Sequence, residues 1–536
     1  KLKMRKDNNL NDLPSQNEMD DLNNLFNLNK FDILATKTKE LINRYPKASI
    51  LYNILGIVFQ KQNKMDEAIF NFNKAINIKP GFDQAYNNLA NALKSSGKFN
   101  HAIKNYEKAI KLNSNYAEAY NNLGNALAEL GKYEESVNNQ QQALKLNPNH
   151  AEFYTNLGSS LTELGKFEEA IFNHKKALEL NPNFAEAYSN LGNALAELGK
   201  FNEAIVNHQQ ALKLNPEYKE AKLNESIIRL MQGDFEIGWK KYEARLGEST
   251  SIPIRYQTEK IWNGKYLDGT LLVWGEQGLG DHIIFASMLN DLRKYAKNII
   301  LEIDKRLENL LIRYFAKINF SNIKMVKSEK ELIFDKHIAI GSLGQYLRKS
   351  KKSFETTPKK FLIASSSKEN KLKKKFFENS KFKVGISWRT LNKKQKFRNI
   401  DLEQMLPILS NTNCDFINLQ FGKFDEDLEK FKAKYGLNIK SINEIDNYNN
   451  IDDLAALINC LDLVITTQNT TAHLSGALGK NTWVMLTFNA RWHWLKNVNK
   501  SLWYPTIKLF RQKKIGNWND VINNISIDLK SLSQRN

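Results

Sequence analysis

Between residues 49 and 218 the chain repeats one arrangement of apolar and polar positions every 34 residues. AYNNLANALKSSGKFNHAIKNYEKAIKLNSNY is followed by AYNNLGNALAELGKYEESVNNQQQALKLNPNH, FYTNLGSSLTELGKFEEAIFNHKKALELNPNF and AYSNLGNALAELGKFNEAIVNHQQALKLNPEY. Within each unit apolar residues recur at helical spacing in two blocks, which predicts two amphipathic helices per unit. Small residues fall where the two helices must touch: Gly124, Gly158 and Gly192 in the first helix, Ala102, Ala170 and Ala204 in the second. Tyr86, Tyr120, Tyr154 and Tyr188, with Leu89, Leu123, Leu157 and Leu191, fill the space between. Pro80, Pro148, Pro182 and Pro216 stop the second helix, because proline has no N–H with which to continue it. A fainter unit begins near Ser49, a degenerate one near Ser15 ends at Pro46, and a last one runs through GDFEIGWKKYEARL at 233 to 246. Atypical end units are expected as caps on a stack of repeats.

The length and pattern of this unit resemble the tetratricopeptide repeat. Asn88, Asn122, Asn156, Asn190 and Asn224 stand 34 residues apart on successive first helices. A primary amide offers two donors and one acceptor, so such a ladder is suited to the backbone of an extended peptide. It is similar to the asparagine ladder of O-linked N-acetylglucosamine transferase, and the resemblance implies a protein or peptide partner in the repeat groove. The alternative is that each amide bonds the neighbouring helix, and the residues leave both readings open. His174 and His208 share a second-helix position and read as packing residues.

After Pro253 the period ends and strand–helix alternation begins, the mark of an α/β fold with a parallel sheet. TLLVWGEQ (270 to 277) reads as a buried strand, GLGD (278 to 281) as a tight turn, HIIFASMLNDLRKYA (282 to 296) as a helix and NIILEID as the next strand. A second set starts with KFKVGISW at 381, continues through a helix at LEQMLPIL, a strand at DFINLQFG and a helix at DDLAALINCLD, and ends in LVITTQNTTAHLSGALGKNTWVML. Two α/β halves predict a cleft between them, where ligands bind in such folds.

Charge narrows the partner classes. The formal net charge is +20, yet residues 49 to 218 hold 16 Lys against 17 Asp or Glu, which argues against a phosphate-tracking groove in the repeats. Residues 343 to 398 instead carry 18 Lys or Arg against three Glu. KENKLKKK (368 to 375) reads as a solvated linker, and Arg389 to Arg398 as a positive field for an anionic ligand. Aromatic residues are not interleaved with this charge as single-strand stacking requires, so no nucleic-acid partner is expected. No run of about 18 apolar residues occurs, and the basic, Asn-rich start has no signal-peptide core, so a soluble cytoplasmic protein without a transmembrane segment is expected. Cys414 and Cys460 are too few for a disulfide framework and lack metal-ligand spacing, and no metal is expected.

GEQGLGD does not give the G-x-G-x-x-G order of a dinucleotide site, and Walker, H-E-x-x-H and G-x-S-x-G motifs are absent from the sequence. LVWGEQGLGDHIIFASML, GISW, NLQFG, DLVITTQNTTAHLSGALGKNTWVMLTFNARWHWL and WYPTIKLFRQ resemble instead the heptosyltransferase-like glycosyltransferase unit found behind tetratricopeptide repeats in bacteria. The resemblance covers most of residues 255 to 520. It implies two Rossmann-like lobes of a GT-B type glycosyltransferase, acceptor lobe first and donor lobe second. It also implies inverting, metal-independent transfer from a nucleotide diphosphate sugar as substrate, with no cofactor.

On this resemblance Asp281 of the Gly280–Asp281 turn is the base that takes the acceptor's proton, with His282 ranked second and helix capping as Asp281's other reading. Asn469, Thr470, Thr471 and His473 stand where a strand ends and a helix begins, so free N–H groups and hydroxyls would converge on a diphosphate; an ordinary capped helix start is the other reading. Trp388 and Arg389 follow a strand of the donor lobe and Lys396 and Arg398 come soon after, so cations there would neutralise the leaving diphosphate, with surface charge flanking a loop as the other reading. Gln420 and Gly422, followed by Asp425 and Glu426, would face the nucleoside. Gln468 departs from the family, which commonly has an acidic residue there. The expected organisation is a degenerate repeat or cap at 1–48, the solenoid at 49–246, the first lobe with its basic linker at 247–378, and the second lobe at 379–536. The expected function is sugar transfer with recruitment of a polypeptide by the repeats; the alternative is a non-catalytic scaffold with a degenerate transferase unit.

Overall fold

The computed structural model describes residues 13–247, 252–276, 278–326, 332–377, 381–390, 399–422 and 424–534. The chain divides into two compact units, Lys1–Glu217 and Tyr218–Asn536.

Six helix pairs build the first unit: Gln16–Asn27 with Phe31–Arg44, Ser49–Lys61 with Met65–Ile78, Asp83–Ser95 with Phe99–Leu112, Ala117–Glu129 with Tyr133–Leu146, Ala151–Glu163 with Phe167–Leu180, and Ala185–Glu197 with Phe201–Leu214. The first begins with a capping box between Ser15 and Glu18. In four of these pairs a glycine of the first helix meets a large side chain of the second: Gly56 with Phe72, Gly124 with Gln140, Gly158 with His174 and Gly192 with His208. A methyl group on Gly158 would lie 2.6 Å from the His174 ring, and one on Gly124 would lie 2.7 Å from the Gln140 side chain. The turn between paired helices needs a left-handed residue, supplied by Gly97, Gly131, Gly165 and Gly199 at φ of +72° to +76° and by Asn63 at +59°. His174 and His208 are buried packing residues, as read from their position.

The second unit opens with one more helix pair, Lys219–Gln232 and Phe235–Tyr242, and continues as two parallel sheets. The first sheet contains β1 (Leu267–Trp274), β2 (Ala296–Glu302), β3 (Ile323–Met325) and β4 (Lys336–Ala339), in the order β3-β2-β1-β4. The second contains β5 (Phe382–Ser387), β6 (Cys414–Asn418), β7 (Ile439–Lys440), β8 (Leu463–Thr467), β9 (Thr482–Leu486) and β10 (Ile507–Arg511), in the order β10-β9-β8-β5-β6-β7. Read from the other edge, this is the doubly wound order, with its switch point between β5 and β8, where Ser387 pairs with Thr466. Val384, Ile386, Leu463 and Ile465 of those central strands are fully buried, which is why they read as continuous apolar runs.

Two expectations need correction. The helix after β1 starts at Leu279, with Gly278 as its cap, and ends at Ala286, so Asp281 lies in its first turn rather than in a preceding loop. KENKLKKK is not a linker but most of the helix Ser366–Phe376; Lys368 pairs with Asp452 and Asp453, and Lys375 with Glu444. Both cysteines are buried with free thiols. Among the described residues no helix is long and apolar enough to cross a membrane, and no group of His, Cys, Asp and Glu is arranged to hold a metal.

Candidate functional site

In open parallel sheets ligands bind at the carboxyl ends of the strands, and the candidate residues gather there. At the ends of β5 and β6 the carboxamide oxygen of Gln420 accepts from Ser387 Oγ (3.2 Å), the Trp388 N–H (3.0 Å) and the Arg389 N–H (2.8 Å). Gln420 is 2% exposed, so this oxygen holds the two strand ends together. Trp388, expected among the donor-binding residues, is a correction, because its indole is fully buried in the core of the second sheet, while its backbone N–H bonds Gln420. Arg389 is not a free cation either: its guanidinium bonds Asp401 (2.9 Å) and Asp427 (3.4 Å). Lys396 and Arg398 lie outside the described residues. Gly422, at φ +105°, lines a cavity of about 210 Å³ with Gln420, Asp425, Asp446, Asn447 and Tyr448. Its carboxylates suit hydroxyl donors such as a ribose diol better than phosphate.

At the switch point Asn469 caps the helix Thr470–Ala477. Its Oδ1 accepts from the N–H groups of Thr471 (3.0 Å) and Ala472 (3.4 Å) and from Thr466 Oγ1 (3.0 Å), while its Nδ2 donates to Ser387 Oγ (2.8 Å). The expected convergence of free amides is therefore corrected in part. Two of them are satisfied by Asn469, whose role here is that of a cap and a brace between β8 and β5. Thr471 is buried, and Thr470 is half-buried at the helix start. His473 is 5% exposed; its Nδ1 bonds the Tyr504 hydroxyl at 2.9 Å and its ring stacks on Trp494. Burial, reinforced by the charge of Arg491, pushes the imidazole down to about 3, so the ring is neutral at pH 7.

In the helix after β1 Asp281 accepts a long hydrogen bond from the Gly278 N–H at 3.4 Å. Burial raises its carboxyl above the usual range, and Arg491 opposes that shift. A carboxylate so placed is a stronger proton acceptor than one in water. His282 is corrected as an alternative base. Its Nδ1 already accepts the Asp304 N–H at 2.9 Å, and burial lowers its affinity for a proton. The ring also fills the space above Gly275, where a methyl group would lie 2.5 Å from it. His282 thus shapes the turn after β1 rather than offering a lone pair.

The helix after β1 and the helix after β8 meet at these starts, since a methyl group on Gly280 would come within 3.1 Å of the His473 ring. Sequence reasoning missed Arg491, which is exposed beside this contact and whose backbone N–H donates to Gln468 Oε1 at 3.3 Å. The available signal was its place in TFNARWHWL, just past the carboxyl end of β9. Arg306, which follows β2, was also missed; it bonds Asp304 through two nitrogens (3.0 and 2.7 Å) and lies over the Tyr448 ring.

In the repeats the ladder amides turn toward the preceding helix pair. Asn88 Nδ2 donates to Asn53 Oδ1 (3.0 Å), Asn122 to Asn87 (3.2 Å), Asn156 to Asn121 (3.0 Å) and Asn190 to Ser159 Oγ (3.3 Å). Each of these four amides thus bonds the neighbouring repeat, and each stays half-buried rather than covered. Asn224 belongs to the second unit, where it too is half-buried.

The family described as TPR repeat matches residues 90–131, 124–161 and 158–199, and that described as tetratricopeptide repeat matches 50–82 and 185–218. These segments are tetratricopeptide repeats. Protein FlbA of Caulobacter vibrioides is 28% identical over 326 residues, covering 57% of this chain and 54% of FlbA. The chain thus spans about half the length of that curated relative. Among solved structures, the APC/C hetero-tetramer Cut9-Hcn1 is 22% identical over 42% of this chain and 45% of its own (TM-score 0.39). YrrB, a TPR protein with an unusual peptide-binding site, is 22% identical over 34% of this chain and 95% of its own (TM-score 0.30). MamA is 26% identical over 32% and 92% (TM-score 0.29).

Proposed function

We propose that the second unit is a glycosyltransferase that takes a sugar from a nucleoside diphosphate sugar, and that the repeats recruit a protein or peptide. The observation that carries this reading is the meeting of the Asp281 turn with the helix start at Thr470–His473, each beyond the carboxyl end of a central strand of its own parallel sheet. In the transfer, the acceptor hydroxyl gives its proton to the Asp281 carboxylate as its oxygen bonds the anomeric carbon. The bond from that carbon to the diphosphate breaks, and the electron pair leaves on the diphosphate. Attack and departure occur on opposite faces in this single step, so the configuration inverts.

The test is a panel of nucleoside diphosphates and nucleoside diphosphate sugars, read by thermal shift and by turnover on peptide and saccharide acceptors. A productive ligand at a hundred times its Kd stabilises the fold by about 2.7 kcal/mol. The engagement of Arg389 by Asp401 and Asp427, and the amide of Gln468, favour a second reading, a non-catalytic scaffold built on a transferase-like fold. Absence of any shift or turnover across the panel selects that reading.

A further inference from the structure

Gln468 stands where the resembled family has an acid, yet it is a bonded part of this site. Its buried side chain donates from Nε2 to Thr487 Oγ1 at 2.8 Å and accepts the Arg491 N–H on Oε1 at 3.3 Å. A carboxylate has no donor with which to make the first of these bonds. The amide therefore fixes the backbone of the loop after β9, and it does so one residue before the Asn469 cap. Arg491 is carried on that loop with its side chain exposed, and among the described residues its guanidinium has no carboxylate partner. Its neighbours on the facing elements are the Asp281 carboxyl of the first lobe and the neutral His473 ring. The Nε2 of His473, in a side chain 5% exposed, has no hydrogen-bond partner among the described residues and lies on the side of Gly280.

We propose that Arg491, held by Gln468, is the cation that binds the anionic diphosphate of the ligand, with His473 Nε2 as a neutral hydrogen-bonding partner in the same subsite. A guanidinium matches two phosphate oxygens at once, and an unpaired one needs no prior ion pair to be broken. Arg389, already shared by two carboxylates, lacks that freedom. The position beside Asp281 also lets one cation serve both charges of the transfer, the carboxylate and the departing diphosphate. This assignment rests on the reading of the second unit as a nucleoside diphosphate sugar enzyme and names the group that receives the leaving part.

Calorimetric titration with inorganic pyrophosphate, and in parallel with UDP, GDP, ADP and CDP, tests it. Arg491→Gln is expected to weaken pyrophosphate at least tenfold, Arg491→Lys to restore a large part of the loss, and Lys434→Gln, a charge removal on the exposed face of the second lobe, to change it less than twofold. Equal pyrophosphate affinity in wild type and Arg491→Gln overturns the assignment. Wild-type binding of a nucleoside diphosphate without any binding of pyrophosphate also overturns it, while leaving the proposed function standing. Binding of neither removes both. If Arg491→Gln does not fold, phenylglyoxal labelling of the wild type, mapped by mass spectrometry, reads the same contact: pyrophosphate should protect Arg491, and unprotected labelling at saturating pyrophosphate rejects it.

Discussion

The two units of this chain are held together over different sequence distances. In the repeats, side-chain bonds join residues one helix or one repeat apart: Gln140 to Asn125 at a separation of 15, Asn122 to Asn87 at 35. In the α/β unit they close long loops, as from Asn469 to Ser387 across 82 residues and from Trp239 Nε1 to the Arg348 carbonyl across 109. Local contacts make stability close to a sum over neighbouring repeats, whereas distant contacts tie a unit into one cooperative transition. All nine tryptophans lie in the second unit, so their fluorescence reports it separately from the helical signal of the repeats.

The largest expected effect is on the cooperative side. Arg245, 3% exposed, bonds both oxygens of Glu276 (2.7 and 2.5 Å) and Ser342 Oγ (2.9 Å). Arg245→Ala leaves a buried carboxylate unpaired and should cost about 3–5 kcal/mol. Urea unfolding followed by tryptophan fluorescence should show that loss in one shifted transition. A partial transition confined to one sheet would break the contrast between the units.

On the repeat side, His174 is buried with no hydrogen bond to either ring nitrogen among the described residues, and burial pushes it down to about 4. The unfolded chain takes up the proton near its ordinary value of about 6.5, and the folded chain resists until about pH 4. Stability is thus present above about pH 6.5 and is lost on acidification through that window, by roughly 3 kcal/mol in all. His174→Gln copies Gln140 of the preceding repeat and should flatten this acid limb in circular dichroism. An unchanged limb would place the acid sensitivity elsewhere.

Asp281→Asn sharpens the comparison at the site. Asn caps a helix about as well as Asp but cannot take a proton, so folding and nucleotide binding should be retained while turnover falls roughly 100-fold. Wild-type turnover in that variant would reject Asp281 as the base. The smallest effect belongs to the ladder. Asn156→Ala strips the donor from the buried Asn121 oxygen and should cost about 1 kcal/mol, seen as a small loss of helical melting temperature. A larger loss in peptide capture than in stability would show that the same amide also binds a partner.

The helix pairs, their turns and their end units could be read from residue order because each contact there recurs with the repeat. Gly158 against His174 is the same event as Gly124 against Gln140, and its spacing carries the information. The apolar strands β1, β5, β8 and β9 were readable as buried runs, but β3, β4, β7 and β10 were not. At two to five residues each, they are strands only because a neighbour supplies their hydrogen bonds. Asp281, Asn469 and His473 could be named because each sits where a strand gives way to a helix. The bonds that such residues make come from partners far along the chain: Ser387 turns Asn469 into a brace, Asp304 occupies the lone pair of His282, and Asp401 with Asp427 takes up Arg389. Arg491 had only its place just past the carboxyl end of β9 as a local signal, since its significance comes from standing beside a carboxyl 210 positions earlier in the chain. The sequence by itself determined the repeats, the two sets of α/β elements and the residue types at the strand ends, because these follow from neighbours within a few turns of chain. Only the tertiary structure decided which of those residues are braced, buried or left free, because hydrogen bonds and charge pairing depend on distance in space, and the sheets bring together residues that the chain keeps far apart.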